Sequence, residues 1–222
     1  MRTIRALTAA VAVTAALPTI AAAQHGRQFK DAWFWGVKGG GLTLADTNSS
    51  YQAKPLAGFD WLITRTRGGL YISASQSFFT EQTFTLRDPS TGADSGLRVV
   101  DMKNLRKVDF AFMAFPGPQH VLFHWYAGLG LTLGQVASAT PQPPFSTVDQ
   151  LTAAEQDIQD RKVGVSPFLI LGGQYRFRPI SVFAQGTANP VNKAFLLYNG
   201  KPWNFTLEAG IRYNVGTSID RQ

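Results

Sequence analysis

A chain of 222 residues with no cysteine has neither a disulfide framework nor a lipid-modified amino-terminal cysteine, and its length suits one domain. Hydrophobic residues at 45%, aromatics at 12%, charged residues at only 16% and 21 glycines exclude a disordered chain and favour many short strands over helices. The formal charge of +7 drops by two, to +5, without Arg2 and Arg5; the other basic residues form no basic helix or aromatic-interleaved patch, so an anionic membrane surface is a better partner than nucleic acid.

Arg2 and Arg5 precede an apolar run from Ala6 to Ile20, and Ala21-Ala22-Ala23 then offers a small-x-small cleavage site before Gln24. Residues 1–23 therefore read as a secretory signal peptide, since the run is shorter than the ~20 residues of a spanning helix. Residues 24–31 make a tail, and a period of two begins after it. Trp33, Trp35, Val37, Gly39 and Gly41 alternate with Phe34, Gly36, Lys38, Gly40 and Leu42 in the first strand, and a polar loop follows at Asp46 to Tyr51. The second strand, Lys54 to Thr64, sets Ala57, Phe59, Trp61 and Ile63 against Gly58, Asp60, Leu62 and Thr64, and turns at Arg65 to Gly69. The third sends Leu70, Ile72, Ala74 and Phe78 outward and Tyr71, Ser73, Ser75 and Ser77 inward. It runs on to a turn cluster at Asp88-Pro89-Ser90-Thr91-Gly92.

The fourth strand begins near Leu97, has Val108, Phe110, Phe112 and Ala114 on its apolar face, and stops at Pro116-Gly117-Pro118. The fifth, Val121 to Leu133, alternates Phe123, Trp125, Ala127, Leu129, Leu131 and Leu133 with His124, Tyr126, Gly128, Gly130 and Thr132. A long loop over Gln135 to Lys162 is expected next, with a capping box at Thr152 to Glu155 opening one short helix before Ile158. Val163 to Phe177 and Ile180 to Ala188 make strands six and seven around a tight turn at Arg178-Pro179. The last strand, Trp203 to Val215, places Glu208 and Arg212 on its polar row. Residues 216–222 extend past it.

The connections alternate long and short, as in an up-and-down membrane barrel with short turns in the periplasm and long loops outside. The class is therefore all-β, an eight-stranded antiparallel up-and-down transmembrane β-barrel over 32–215. A soluble lipocalin-like barrel is the competing reading. Aromatics sort by height on the outward parity: Trp33, Trp35, Trp61, Trp125, Tyr175 and Tyr213 at the periplasmic end, Trp203 at the outer rim. Two such girdles belong to a barrel in lipid.

Ala127 to Gly134, Gly172 to Phe177 and Leu207 to Tyr213 resemble the small outer-membrane β-barrel domain family, which includes the opacity-type and OmpA-type barrels. The resemblance implies an outer-membrane location in a Gram-negative-type envelope and no catalytic motif. It departs at the end, where Gly216 to Gln222 replaces the terminal aromatic residue usual in the family.

The inward ionisable residues are Lys38, Asp60, Asp109, His124, Glu208 and Arg212, and Lys38 is expected to pair with Glu208 and Asp60, with Arg212 close by. They form either a proton or ion path or, in a lumen filled by ~8 strands' side chains, a plug of satisfied charges. Lys54, Lys103, Arg106, Lys107, Arg161, Lys162, Lys193 and Lys201 bring cations to the outer rim, where lipopolysaccharide phosphates would lie. Strand extensions over Thr80 to Leu86 and Leu97 to Lys103 either protrude as a hairpin with free edges, a place for a protein partner within 80–103, or form a mobile loop.

Three histidines, His25, His120 and His124, lie away from the outer leaflet, so lipid A hydrolysis is not expected. No metal-ligand spacing and no cofactor motif are present. The functional expectation is a structural or binding role through the outer loops, with a narrow channel as the alternative.

Overall fold

The computed structural model describes residues 29, 31–45, 50–85, 98–118, 120–145, 147–198 and 201–217. The expected signal peptide, most of the expected tail, the expected tip around Asp88–Gly92 and residues 218–222 lie outside the described residues. Eight strands close into one antiparallel barrel in sequence order: β1 Ala32–Ala45, β2 Tyr51–Thr64, β3 Gly68–Thr85, β4 Arg98–Ala114, β5 Phe123–Pro141, β6 Val163–Phe177, β7 Ile180–Pro190 and β8 Trp203–Thr217. One helix, α1 Val148–Arg161, interrupts them.

The alternation of the sequence becomes the two faces of the wall. Leu207 is 73% exposed and its neighbour Glu208 is 2%; Phe112 is 76% exposed and Met113 is 3%. Outside, Val37, Phe59, Phe110, Leu129, Leu131, Leu169, Leu171 and Ile211 form a continuous apolar band. A barrel in water would bury such a row. At the end with the short connections, which we call the lower end, Tyr213, Trp35 and Trp61 stand side by side in register across β8, β1 and β2. The Trp35 and Trp61 rings stack at 5.9 Å, and Trp33 meets Trp61 edge-on at 5.6 Å. Trp125 and Tyr175 are also outward and exposed near this end, and Trp203 is exposed beside Pro190 at the upper end.

Two features of the upper end differ from the expectation. β5 does not stop at Leu133 but runs to Pro141, still paired with β4 through Val100↔Pro141. Much of the expected long loop is thus strand and helix. The helix is capped by Thr147, whose hydroxyl accepts from the Gln150 amide at 3.3 Å. Thr152, the expected cap, lies one turn inside and donates to the Val148 carbonyl. The β3–β4 extension carries a bulge, Phe78 and Phe79 standing against Asn104, whose φ of 56° suits an asparagine. Asn104 Oδ1 accepts from the Phe79 amide at 3.2 Å, so the side chain replaces the missing ladder bond. The bulge shifts the parity of β4 by one residue, so that Met102 and Leu105, three apart, both face inward while Lys103 and Arg106 face outward.

Candidate functional site

The lumen is layered. At the lower end Phe29, Phe34, Leu62, Phe115 and Tyr126 fill it with apolar side chains. Phe29 comes from the tail, turned inward at Asp31, and its ring meets Phe115 edge-on at 4.9 Å and lies flat on His124 at 4.0 Å. The Thr64 hydroxyl donates to the Phe29 carbonyl and accepts from the Ala32 amide, which ties the segment under β1 and β2.

Above this seal lies the charged layer. Gly36 is the cross-strand neighbour of both Asp60 and Arg212. Because it has no side chain, the two meet over it; a Cβ there would overlap Asp60 Oδ1 and come within 2.8 Å of Arg212 Cγ. Arg212 Nη2 lies 2.8 Å from Asp60 Oδ2, and its Nε donates to the same carboxylate at 3.1 Å. Lys38 Nζ sits 2.8 Å from Glu208 Oε2 and 3.1 Å from the Tyr71 hydroxyl. Gln185 joins the pairs: its amide nitrogen donates to Glu208 at 2.7 Å and Tyr71 at 2.8 Å, and its oxygen accepts from Arg212 at 3.2 Å and the Tyr126 hydroxyl at 2.9 Å. Gln174 accepts from Arg212 Nη1 at 2.9 Å, and the guanidinium lies over the Phe183 ring at 3.7 Å. An ion pair out of water is stabilised by matching its remaining donors and acceptors, and here Gln174, Gln185, Tyr71 and Tyr126 do most of the matching, Glu208 Oε1 and Gln174 Nε2 being left without a partner among the described residues.

The expected set of inward charges is therefore divided. Asp60 lies on Arg212 rather than on Lys38, because register places both beside Gly36. His124 is inward but belongs to the aromatic base. Asp109 stands apart with Thr132, which donates to it at 2.5 Å, and with Lys107 at 3.7 Å. Gln174 and Gln185 escaped the sequence reading; their only signal was inward parity on β6 and β7.

The upper mouth is closed by a second apolar cluster: Leu42, Leu44 and Leu56 from the rim, Phe79, Met102 and Val136 from the β3–β5 extension, Ile158 from α1, and Leu196 and Leu197 from the β7–β8 connection. Arg161 fastens this cap, donating to the carbonyls of Ala194 and Lys193 at 3.1 Å each, while Thr83 donates to the Leu196 carbonyl at 3.0 Å.

The expected rim cations separate accordingly. Lys107 is corrected: it points into the lumen and is 5% exposed, because Val108 beside it faces out. Arg161 is occupied within the cap, and Lys54 is ion-paired with Glu81 across the β2–β3 opening. Lys103, Arg106 and Lys193 are exposed, Lys162 is half-buried, and the Lys201 ammonium lies 6.0 Å from the Tyr51 ring centre. The expected hairpin loses one of its free edges, since β5 covers β4; on the other side the β2–β3 ladder ends at Leu56↔Ser77. Leu86 and Leu97 lie outside the described residues. Among the described residues no group of His, Asp or Glu is arranged to hold a metal ion, and no helix is long and apolar enough to cross a membrane, which says nothing of strands.

No family model and no curated protein matches the sequence. Among solved structures, the crystal structure of Neisserial surface protein A superposes with a TM-score of 0.51 at 11% identity, over 82% of this chain and 96% of that one. The fold is that of the small outer-membrane β-barrels. The amino-terminal barrel domain of Pseudomonas aeruginosa OprF scores 0.43 at 12% identity, over 83% of this chain and 98% of that one. Ail of Yersinia pestis, crystallised with the heparin analogue sucrose octasulfate, scores 0.43 at 11% identity, over 83% of this chain and 100% of that one. Within that fold, this chain carries two apolar seals with the doubly paired charge layer between them.

Proposed function

We propose that this protein is a closed outer-membrane barrel that works as a structural and binding element through its upper rim, with lipopolysaccharide as the surface it contacts. The observation that carries the reading is the inversion of the wall, apolar outside and charged inside, with both ends of the lumen sealed by side chains. Such a lumen has no water-filled path, so the charged layer is a stabilising plug, and planar bilayers containing the protein should show no unitary conductance. The reading is non-catalytic; it is supported by the position of His124, which packs against Phe29 in the aromatic base far from the upper rim.

With the lower end periplasmic, Lys103, Arg106, Lys162, Lys193 and Lys201 stand at the height of outer-leaflet phosphates, each worth about 1 kcal/mol near an anionic surface. The deciding experiment compares two charge-neutralised variants on lipopolysaccharide micelles. Replacing these five by Gln should weaken association in a salt-dependent way, whereas replacing Arg65, Arg67 and Arg178 at the lower end should not. Equal loss from both sets would reduce the contact to non-specific attraction, and recovery of the protein in the soluble fraction after lysis would overturn the membrane location. A protein partner is favoured at β3 beyond Ser77, where the strand has no ladder on its β2 side and can accept another strand by backbone pairing.

A further inference from the structure

The wall has an unsealed seam between β6 and β7. β6 begins at Val163 and β7 ends at Pro190, yet their ladder stops at Leu169↔Ala188. Pro167 and Pro190 bring no amide hydrogen to this stretch, and proline is confined to strand edges for that reason. A cavity of about 40 Å³ occupies the seam. Inward-facing Lys107 and Asn204 line it, Val165 and Pro190 border it where the ladder is missing, and Phe195 roofs it from the β7–β8 connection.

Two of its polar groups lack what the charged layer supplies elsewhere. Lys38 and Lys107 are each 5% exposed. The Lys38 ammonium has Glu208 at 2.8 Å and Tyr71 at 3.1 Å. The Lys107 ammonium has only Asp109 Oδ1 at 3.7 Å, beyond hydrogen-bonding reach, and that oxygen is already taken by Thr132. Asn204, 7% exposed, makes no side-chain hydrogen bond to any described residue. Both groups border one small, mostly apolar cavity, where a ligand can reach them.

We propose that this seam binds a single-chain fatty carboxylate, one carboxylate oxygen accepting from Lys107 Nζ and the other from Asn204 Nδ2, with the chain leaving between Val165 and Pro190 onto the apolar outer face. A carboxylate is the anion small enough for the cavity, and it offers the two acceptors that the two donors need. The adjacent Asp109 bears the opposite charge but, at 3.7 Å, accepts no hydrogen bond from Lys107. A two-chain phospholipid exceeds the cavity in head and tail alike. The inference rests on the membrane reading only in that the mouth faces lipid; binding itself is tested in detergent, so its failure is separate from a failure of location or of lipopolysaccharide contact.

The experiment follows carboxyl-labelled ¹³C-dodecanoate by NMR with the refolded full chain in maltoside micelles. The expected result is a saturable bound carboxyl resonance absent from protein-free micelles, weakened at least tenfold by Lys107→Gln and lost in Ser166→Leu, which fills the cavity from β6. Dodecanol and a two-chain phosphatidylglycerol should fail to displace the label. Unchanged binding by Lys107→Gln, or no resonance beyond that of empty micelles, overturns the proposal. Should either variant not fold, the wild-type competition decides: displacement by dodecanol as effective as by unlabelled dodecanoate removes the role of Lys107, and displacement by phosphatidylglycerol removes the single-chain assignment.

Discussion

The charged layer and the upper cap fill the same tube by opposite means. The layer is built from strand residues far apart in sequence, Lys38 with Glu208 and Asp60 with Arg212, and nearly every contact is a directed hydrogen bond. The cap is built from a helix and a connection, Ile158 with Leu196 and Leu197, and its cohesion is apolar burial with a few polar ties. The difference teaches where stability is shared with the whole barrel and where it is local. The layer cannot open without breaking strand pairing, whereas α1 and residues 192–198 can lift while the ladders stay intact.

The largest expected effect breaks the layer. Arg212→Leu leaves the Asp60 carboxylate buried and uncompensated and should cost about 3–5 kcal/mol, read as a lowered urea midpoint of the heat-modifiable folded band. The paired replacement Asp60→Leu with Arg212→Met should recover most of it. A double variant no better than the single one would mean that the ion pair is not what holds this level. Glu208→Ala should cost on the order of 3 kcal/mol, because Lys38 keeps only Tyr71. Glu208→Gln should cost visibly less, since it retains an acceptor for Lys38.

Ile158→Ala addresses the cap, at about 2 kcal/mol. The comparison predicts that this loss appears as faster amide exchange in α1 and 192–198, with the barrel midpoint unmoved; a shift of the midpoint by the same amount would show that cap and barrel open together.

The smallest effect concerns acid. Asp101, on the β4 extension, accepts from Gln142 at 2.8 Å and from Gln82 at 3.1 Å, and these bonds, Gln142 first, hold its carboxyl below its ordinary value of 3.8. A lowered value in the folded state means the contribution is complete above the ordinary value and disappears as pH falls through the lowered one. Amide exchange in 98–103 should therefore accelerate on going from pH 6 to pH 3 more in the wild type than in Asp101→Asn, and equal acceleration in both would remove Asp101 from the account.

How much of this was legible in the sequence follows from the same division. Strand parity was readable because the pleat alternates regardless of partner, and it placed Lys38, Asp60, Glu208 and Arg212 inside. The sequence reading assigns Lys107 to the rim with Arg106, and the structure corrects it: the parity set by Val108 and Phe110 continues through Lys107 and turns it inward. Which charges pair was not readable, because that depends on closure of β1 on β8 and on Gly36 standing between Asp60 and Arg212. The cap was legible only in its helix: a short helix before Ile158 is expected, but Thr147 rather than Thr152 opens it, and Leu196 and Leu197 lie in a segment with no period. The open seam could be suspected from Pro167 and Pro190 only once they were known to face each other.

Phe29 has a consequence for anything attached to this protein. Its ring sits on His124 of β5 and on Phe115 just past β4, although the chain then climbs into β1. At residue 29 the polypeptide therefore stands inside the barrel rather than at the rim. Pulling on residue 29 would load the aromatic base before the β1–β8 seam. Force applied there should thus be resisted first by ring packing and only afterwards by peeling of a strand.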